Sequence, residues 1–242
     1  MTKVVTPFQQ FFLDGQVLCV NKPLEWTSFD VIRKIRNQLK IQKVGHAGTL
    51  DPLATGLLII CTGKFTKRIN EFMGQPKEYT GTITLGATTP TYDLESEPTA
   101  ITDATGVTAA QVQTVINSQF LGEILQTPPI HSAIKQAGKP VYILARKGVD
   151  VVLEPRPITL YEFELVKLEN ATIHFRVLCS TGTYIRSLAN DVGKALGVGG
   201  YLSSLQRTKI GNFSSSEAMS VEDALAFIQA KKSELETSNA AL

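Results

Sequence analysis

The sequence predicts an α/β fold, and three observations predict it. Short apolar runs of strand length, at 16–20, 57–61 and 77–85, alternate with longer segments whose apolar residues recur at helical spacing. The helical segments open on capping pairs three residues apart: Thr27 with Asp30, Thr108 with Gln111, and Ser220 with Asp223. Two alternating stretches, 157–169 and 171–180, meet at Glu169-Asn170 and read as a hairpin.

Composition narrows the function classes. A chain of 242 residues, 43% of them hydrophobic, forms one large domain or two small ones with a substantial core. It has no run of about 18 apolar residues, so no membrane span is expected. Its first residues lack the apolar centre of a signal peptide. Cys19, Cys61 and Cys179 lie far apart in apolar runs and read as reduced core thiols of a cytoplasmic protein. His46, His131 and His174 stand apart and no C-x-x-C pair exists, which argues against a zinc site. Net charge is only +2, yet Arg33, Lys34, Arg36, Lys40 and Lys43 crowd one segment, and Lys135, Lys139, Arg146 and Lys147 another. Such patches suit phosphates. They equally suit solvated helix faces.

The first strand, Gln16–Val20, is stopped by Asn21-Lys22-Pro23. The helix opened by Thr27 carries Phe29, Ile32, Ile35 and Leu39 as its apolar stripe and leaves Arg33, Lys34, Arg36 and Lys40 wet. Gly45-His46-Ala47-Gly48-Thr49-Leu50-Asp51-Pro52-Leu53-Ala54-Thr55-Gly56 follows. Its glycines let the backbone turn sharply and approach a ligand closely, and Pro52 holds Asp51 out of helical geometry. One carboxylate is thereby presented on a constrained loop that leads into the buried strand Leu57–Cys61. An Asp before Pro is also ordinary turn punctuation.

From Lys77 to Leu85, alternation puts Tyr79, Gly81, Ile83 and Leu85 on one face. The Tyr79 phenol therefore points inward, as a core or a site residue. The polar, turn-rich span Thr88–Thr105 reads as an exposed loop. The helix opened by Thr108 turns Val112, Val115, Ile116 and Phe120 to the core. Pro128-Pro129 and Gly138 forbid a continuous helix, and a new one is expected to start at Pro140 and continue from Tyr142 to Lys147. In the hairpin, Ile173, Phe175, Val177 and Cys179 face inward and His174 outward. From Thr181 the chain turns into a helix carrying Ile185, Leu188, Val192 and Leu196, closed by Gly197. Arg186 falls in its first turn, where the backbone is already positive, so a cation there suggests an anionic partner. The last helix begins at Ser220, and its tail from Glu236 is expected to fray.

The string from Gly45 to Gly56, followed by Leu57-Leu58, closely resembles the catalytic motif of the bacterial tRNA pseudouridine-55 synthases, the TruB family. The resemblance runs from about Gly15 to Gly211. It implies that Asp51 is the catalytic nucleophile and that His46 helps displace the target base. The Lys-Glu-Tyr context of Tyr79 resembles the motif whose Tyr lies against uracil and takes a proton late in the reaction. Gly182-Thr183-Tyr184-Ile185-Arg186 resembles the segment whose Arg pairs with the catalytic Asp, so Arg186 is expected opposite Asp51. Lys22, Pro23, Thr27 and Ser28 resemble the family's N-terminal motif. Leu205 and Arg207 match an apolar and basic pair, with Leu205 beneath the base. Asp93 matches a family Asp that contacts RNA or active-site groups. The segment from Pro128 resembles the start of a mobile thumb, about 126–152, that closes over the tRNA arm; His131 stands where many relatives carry Tyr. Lys22, Lys64, Lys135, Arg146 and Arg207 are the cations expected to bind substrate, beside His46, Asp93 and Leu205.

The same resemblance implies a mixed, largely antiparallel sheet flanked by helices, cleft across its middle, with the thumb inserted near one rim. A catalytic domain over 1–219 and a C-terminal helix and tail over 220–242 are expected, without the PUA-type RNA-binding domain of many relatives. The implied activity is isomerisation of uridine 55 in the T-arm loop of tRNA to pseudouridine, in the cytoplasm. It proceeds by flipping the base out of its stack and by an aspartate-dependent rearrangement of the glycosidic bond. The reaction breaks a C–N bond, rotates uracil and forms a C–C bond. Nothing is oxidised and no group is imported, so neither metal nor redox cofactor is expected, and a monomer without an obligate protein partner suffices. Alternatives are a guide-RNA-dependent pseudouridine synthase or a tRNA-binding chaperone without required catalysis. The joint presence of Asp51, Tyr79 and Arg186 favours an enzyme.

Overall fold

The computed structural model describes residues 5–130 and 153–240, with the backbone of 135–136 and 139–140 between them. Two compact units make up the chain: Met1–Lys77 with Gln206–Leu242, and Glu78–Leu205.

The first unit opens on helix α1 (Pro7–Asp14), closed at its start by a reciprocal Thr6–Gln9 capping box that adds an element to those predicted from sequence. Strand β1 (Val17–Lys22), helix α2 (Ser28–Leu39), strand β2 (Val44–His46) and strand β3 (Ala54–Thr62) follow. β1 runs two residues past its predicted stop, because Asn21 and Lys22 still pair with Leu57 and Gly56 of β3. The Thr27–Asp30 box caps α2 as expected, and the helix buries Ser28, Val31, Ile32, Ile35 and Leu39. Phe29 corrects the predicted stripe: it is 57% exposed. It sits one helical step, about 100°, from the Ser28–Ile32–Ile35–Leu39 row, and the Arg36 guanidinium lies over its ring at 5.8 Å.

β3 is continuously apolar because both of its faces are covered. Leu58 and Ile60 pack with Phe12, Ile35 and Val221 on one side, while Leu57, Ile59 and Cys61 pack with Ala47, Phe72 and Ile210 on the other. A 3₁₀ turn (Gly63–Arg68) and helix α3 (Ile69–Met73) end this part of the unit.

The second unit carries β4 (Lys77–Leu85), β5 (Ala87–Thr88), β6 (Ala100–Ile101), α4 (Ala109–Gln119), β7 (Gly122–Gln126), β8 (Lys135–Gln136), β9 (Lys139–Pro140), β10 (Arg156–Glu169), β11 (Thr172–Cys179), α5 (Ile185–Ala195) and β12 (Gly200–Ile210). β12 passes from the second unit into the first after Leu205. The predicted hairpin is β10–β11, closed by Asn170 and Ala171 at φ 49° and 57°, the left-handed pair that suits the twist of two antiparallel strands. Phe120, Phe163 and Phe175 meet edge to face at 6.4 and 6.0 Å, beside buried Val112 and Ile116; Val115 is only half-buried.

Two expectations change here. The span Thr88–Thr105 is not simply an exposed loop. β5 pairs with β6, and Thr89, Thr91 and Asp93 are buried, because the Thr89 hydroxyl donates to the Asp93 carbonyl at 2.8 Å. Pro140 does not open a helix; it ends β9, which pairs with β8. His131 and the expected helix over Tyr142–Lys147 lie outside the described residues.

Back in the first unit come β13 (Phe213–Ser214) and α6 (Val221–Ala240). Ser220 Oγ accepts the Asp223 N–H at 3.0 Å, and the helix continues to Ala240 rather than fraying from Glu236. Strand order is β1-β3-β12 in the first unit, with β2 beside β3 and β13 beside β12, and β12-β4-β11-β10-β7 in the second. Each strand pair of described register is antiparallel, and two isolated bridges, Val20–Met219 and Asp93–Leu202, are parallel. The arrangement is the mixed, largely antiparallel one expected. No helix among the described residues is long and apolar enough to cross a membrane.

Candidate active site

β2 and β3 pair with His46 opposite Ile60, and residues 47–53 join them as a loop. The loop is held at almost every second residue. The Ala47 N–H donates to the Ile59 carbonyl at 2.9 Å. The Gly48 carbonyl accepts from Arg207 Nη2 at 3.1 Å. Leu50, 3% exposed, donates its N–H to Ser28 Oγ at 2.9 Å, and that hydroxyl donates back to the Leu50 carbonyl at 3.2 Å. The Pro52 carbonyl accepts from Lys22 Nζ at 3.2 Å and from the Glu25 N–H at 2.9 Å. Between these anchors Asp51 is half-buried. A carboxylate whose backbone is fixed on both sides and whose side chain is not sealed off is preorganised for reaction.

Two buried cations do the anchoring. Lys22 is 1% exposed and donates to the carbonyls of Pro23, Trp26 and Pro52 at 2.9, 2.5 and 3.2 Å. Burial pushes its ammonium down to about 8, and the charge of Asp51 is the largest opposing influence. Arg207, also 1% exposed, donates from Nε to the Leu57 carbonyl at 2.8 Å and from Nη2 to Gly48. Gly56 lies so close to this strand that a Cβ there would sit 2.3 Å from the Arg207 carbonyl oxygen, and its φ of 101° already favours glycine.

His46 is half-buried at the mouth of the loop. Burial, and then the Arg207 charge, hold its imidazole below the usual histidine range, against a hydrogen bond with Gly48 that raises it. Its Nδ1 is buried and has no hydrogen-bond partner among the described residues. Lys64 stands past the opposite end of β3 from the loop, exposed, with Nζ 2.8 Å from Asp14 Oδ1.

In the second unit, Tyr79 points inward from β4 as predicted and is 7% exposed. Arg186 lies in the first turn of α5 and is 4% exposed. That helix has no side-chain cap of its own. The Gln126 amide at the end of β7 substitutes, accepting the Tyr184 N–H at 2.8 Å and donating to the Tyr184 carbonyl at 3.1 Å. Ser187 Oγ adds a bond to the Thr127 carbonyl at 2.8 Å. The Arg186 cation meets an anion, Asp93, with Nη1 3.6 Å from Oδ2, and Nη1 also donates to the Thr91 carbonyl at 3.4 Å. Asp93 is itself fixed, because its Oδ1 accepts the Glu95 N–H at 3.0 Å.

The structure thus gathers Lys22, His46, Asp51 and Arg207 in the first unit, and Asp93 with Arg186 in the second. Leu205 is half-buried on β12. The side chains of Lys135 and Arg146 lie outside the described residues. Gln126 was not singled out from sequence, since its partner is 58 residues away and a glutamine carries no local signal of a cap. Ser28 was legible only as part of a motif. No group of His, Cys, Asp and Glu among the described residues is arranged to hold a metal ion.

Residues 36–185 match the model of the TruB family pseudouridylate synthase N-terminal domain, and residues 186–240 that of the tRNA pseudouridylate synthase B C-terminal domain. The chain belongs to the TruB family. A tRNA pseudouridine synthase B of Flavobacterium johnsoniae is 50% identical over 217 residues, covering 87% of this chain and 94% of that protein. Its counterpart in Parabacteroides distasonis is 49% identical over 224 residues, 90% of this chain and 95% of the relative. Among solved structures, a chain of a Cbf5–Nop10–Gar1 complex superposes with a TM-score of 0.70 at 29% identity, over 91% of this chain and 56% of that one. An H/ACA ribonucleoprotein bound to a substrate RNA containing 2′-deoxyuridine gives 0.69 at 27% identity, over 94% and 57%. The chain spans little more than half the length of these structural neighbours.

Membership in the TruB family makes the chain an isomerase, a pseudouridine synthase.

Proposed function

We propose that this chain converts uridine 55 in the T-arm loop of tRNA to pseudouridine, with Asp51 as the nucleophilic carboxylate. The observation that carries the reading is the anchored loop, which holds Asp51 between the Lys22 and Arg207 contacts and leaves its side chain half-buried. The choice of tRNA is supported by relatives of about half identity that are named tRNA pseudouridine synthase B. The position in the T-arm rests on the resemblance of the Gly45–Gly56 string.

The target uridine is buried in a stacked loop, so it must first be extruded, at a cost of a few kcal/mol. His46 at the mouth of the Asp51 loop acts as the wedge that fills the vacated place. Asp51 then assists cleavage of the C1′–N1 bond, uracil rotates, and its C5 bonds to C1′; the proton lost from C5 is balanced by one gained at the freed N1, so the product is an isomer of the starting uridine. Tyr79 stacks on the base and accepts the C5 proton, directly or through water. Arg186 balances the charge of Asp51 during the rearrangement. Basic residues of the 126–152 segment and of α2 hold the RNA backbone, where 2′-hydroxyl and phosphate contacts dominate recognition. Action on free tRNA is favoured over action within a ribonucleoprotein, because identity is near 50% to the former relatives and 29% to the Cbf5 chain.

The test is incubation of the purified protein with an unmodified tRNA transcript, without additives, followed by mapping of pseudouridine. Product at position 55 supports the reading. A transcript left unmodified, or modified only elsewhere, overturns it.

A further inference from the structure

The helix that carries Arg186 is started from far away in the chain. α5 has no side-chain cap of its own. Hydroxyls of the kind that ordinarily cap a helix precede it in Thr181-Gly182-Thr183. Thr183 Oγ1, however, donates to the Ser180 carbonyl at 2.9 Å.

Gln126 takes the role instead. It is the last residue of β7, paired with Arg156 of β10, and is 3% exposed. Its Oε1 accepts the Tyr184 N–H at 2.8 Å, and its Nε2 donates to the Tyr184 carbonyl at 3.1 Å. The Leu188 N–H shares that carbonyl, also at 3.1 Å, in the first turn of the helix. One residue on, the Thr127 carbonyl accepts from Ser187 Oγ at 2.8 Å, and Ser187 is itself buried. Two consecutive residues, Gln126 and Thr127, thus grip Tyr184 and Ser187. Arg186 lies between the gripped positions.

The chemistry of this cap suits its neighbour. Aspartate is among the residues favoured at a helix start, but its carboxylate would stand two residues from Arg186 and draw on the same charge. A primary amide supplies an acceptor and a donor and carries no charge. Arg186 is left to meet a carboxylate of the site, and among the described residues that is Asp93. A buried amide bonded at both ends and presented from a strand is also a rigid support.

We propose that Gln126 is a positioning residue for Arg186, its amide fixing the first turn of α5 and with it the placement of the guanidinium. The proposal rests on the reading of Arg186 as the charge that balances Asp51 during the rearrangement, and it deepens that reading by naming what aims the group. Gln126 acts through the Tyr184 backbone, so its loss lowers the rate of the chemical step and leaves tRNA affinity alone.

Gln126→Met keeps the length of the side chain and removes both hydrogen bonds. It is compared with the unaltered protein, with Arg186→Lys and with the double variant on unmodified tRNA transcript, recording the single-turnover rate, tRNA affinity and a melting curve for each. Gln126→Met is expected to lose about tenfold or more in rate, the effect of a misplaced group, with tRNA affinity within about twofold of the starting value. Because the glutamine acts through Arg186, the double variant is expected within about threefold of Arg186→Lys alone rather than at the product of the two losses. A folded Gln126→Met with undiminished rate overturns the proposal. Weaker tRNA binding at constant rate does so too, since it would make Gln126 an RNA contact, and so do losses that multiply in the double variant. Amide hydrogen exchange on the unaltered protein gives an answer that does not depend on any variant folding. Slow exchange at Tyr184 is expected, and exchange as fast as that of exposed loops overturns the proposal. Arg186→Lys separates the two readings: full turnover by that variant removes Arg186 from the reaction, whereas a slow Arg186→Lys beside a fully active Gln126→Met refutes only the positioning role.

Discussion

Arg186 and Asp93 are buried together, with Nη1 3.6 Å from Oδ2 and only about a twentieth of either side chain exposed. The pair resolves an electrostatic oddity of the sequence, a cation in the first turn of a helix whose backbone there is already positive. It also gives Asp93, in a stretch that reads as an exposed loop, a reason to be inside.

Removing one member of a buried ion pair takes a favourable charge away from the other. Asp93→Ala should therefore destabilise the protein by on the order of 3 kcal/mol, measured by urea unfolding. Arg186→Lys keeps the charge but loses the planar fork, so it should reduce turnover more than it lowers the melting temperature. A melting loss as large as the catalytic loss would assign Arg186 to the fold alone.

A second prediction concerns acid. The His46 imidazole is held below 6.5 by burial and then by Arg207. As pH falls, the unfolded chain takes up this proton before the folded one, so the contribution to stability is complete above pH 6.5 and is lost as pH drops through the folded value. NMR titration of the ring protons checks this directly, and Arg207→Gln should move the His46 midpoint upward. An unmoved midpoint would mean that the guanidinium charge is not felt at the ring.

Glu25 adopts φ 65° with an exposed side chain, and its N–H is committed to the Pro52 carbonyl. Left-handed backbone is costly for any residue with a Cβ, so Glu25→Gly should stabilise the protein by roughly 0.5–1 kcal/mol after the larger entropy of the unfolded glycine is counted. A denaturant midpoint that rises at constant slope is the expected result. A fall would show that the glutamate side chain makes a contribution of its own.

Removing the charges at Lys135, Lys139 and Arg146 should weaken tRNA binding and lower the slope of log affinity against log salt by up to about two, as fewer counterions are released. An unchanged slope would place those side chains away from RNA.

How much of this was legible in the sequence depends on how local the cause is. The capping boxes at Thr27 and Thr108 are set by residues three apart, and both helices begin where those pairs predict. The β10–β11 hairpin needs only its two alternating strands and the Asn170-Ala171 turn. β12 escaped notice because Tyr201-Leu202-Ser203-Ser204-Leu205-Gln206 carries hydroxyls where a buried strand would carry aliphatics. Those hydroxyls instead bond Thr82 and Thr84 of β4. Of the candidate site, the Asp51 loop, Tyr79 and Arg186 stood out as strings of residues. The burial of Lys22 and Arg207 did not, because lysine and arginine are ordinarily surface residues and their carbonyl partners lie up to 159 positions away.

The central claim is that Asp51 reacts while the rest of the protein holds it and the RNA in place. It is tested most directly by quantifying pseudouridine at position 55 after single-turnover incubation of Asp51→Asn with unmodified tRNA transcript, with tRNA binding measured on the same preparation. The account predicts no detectable pseudouridine and near-normal tRNA binding. Substantial residual turnover by a folded Asp51→Asn would contradict it.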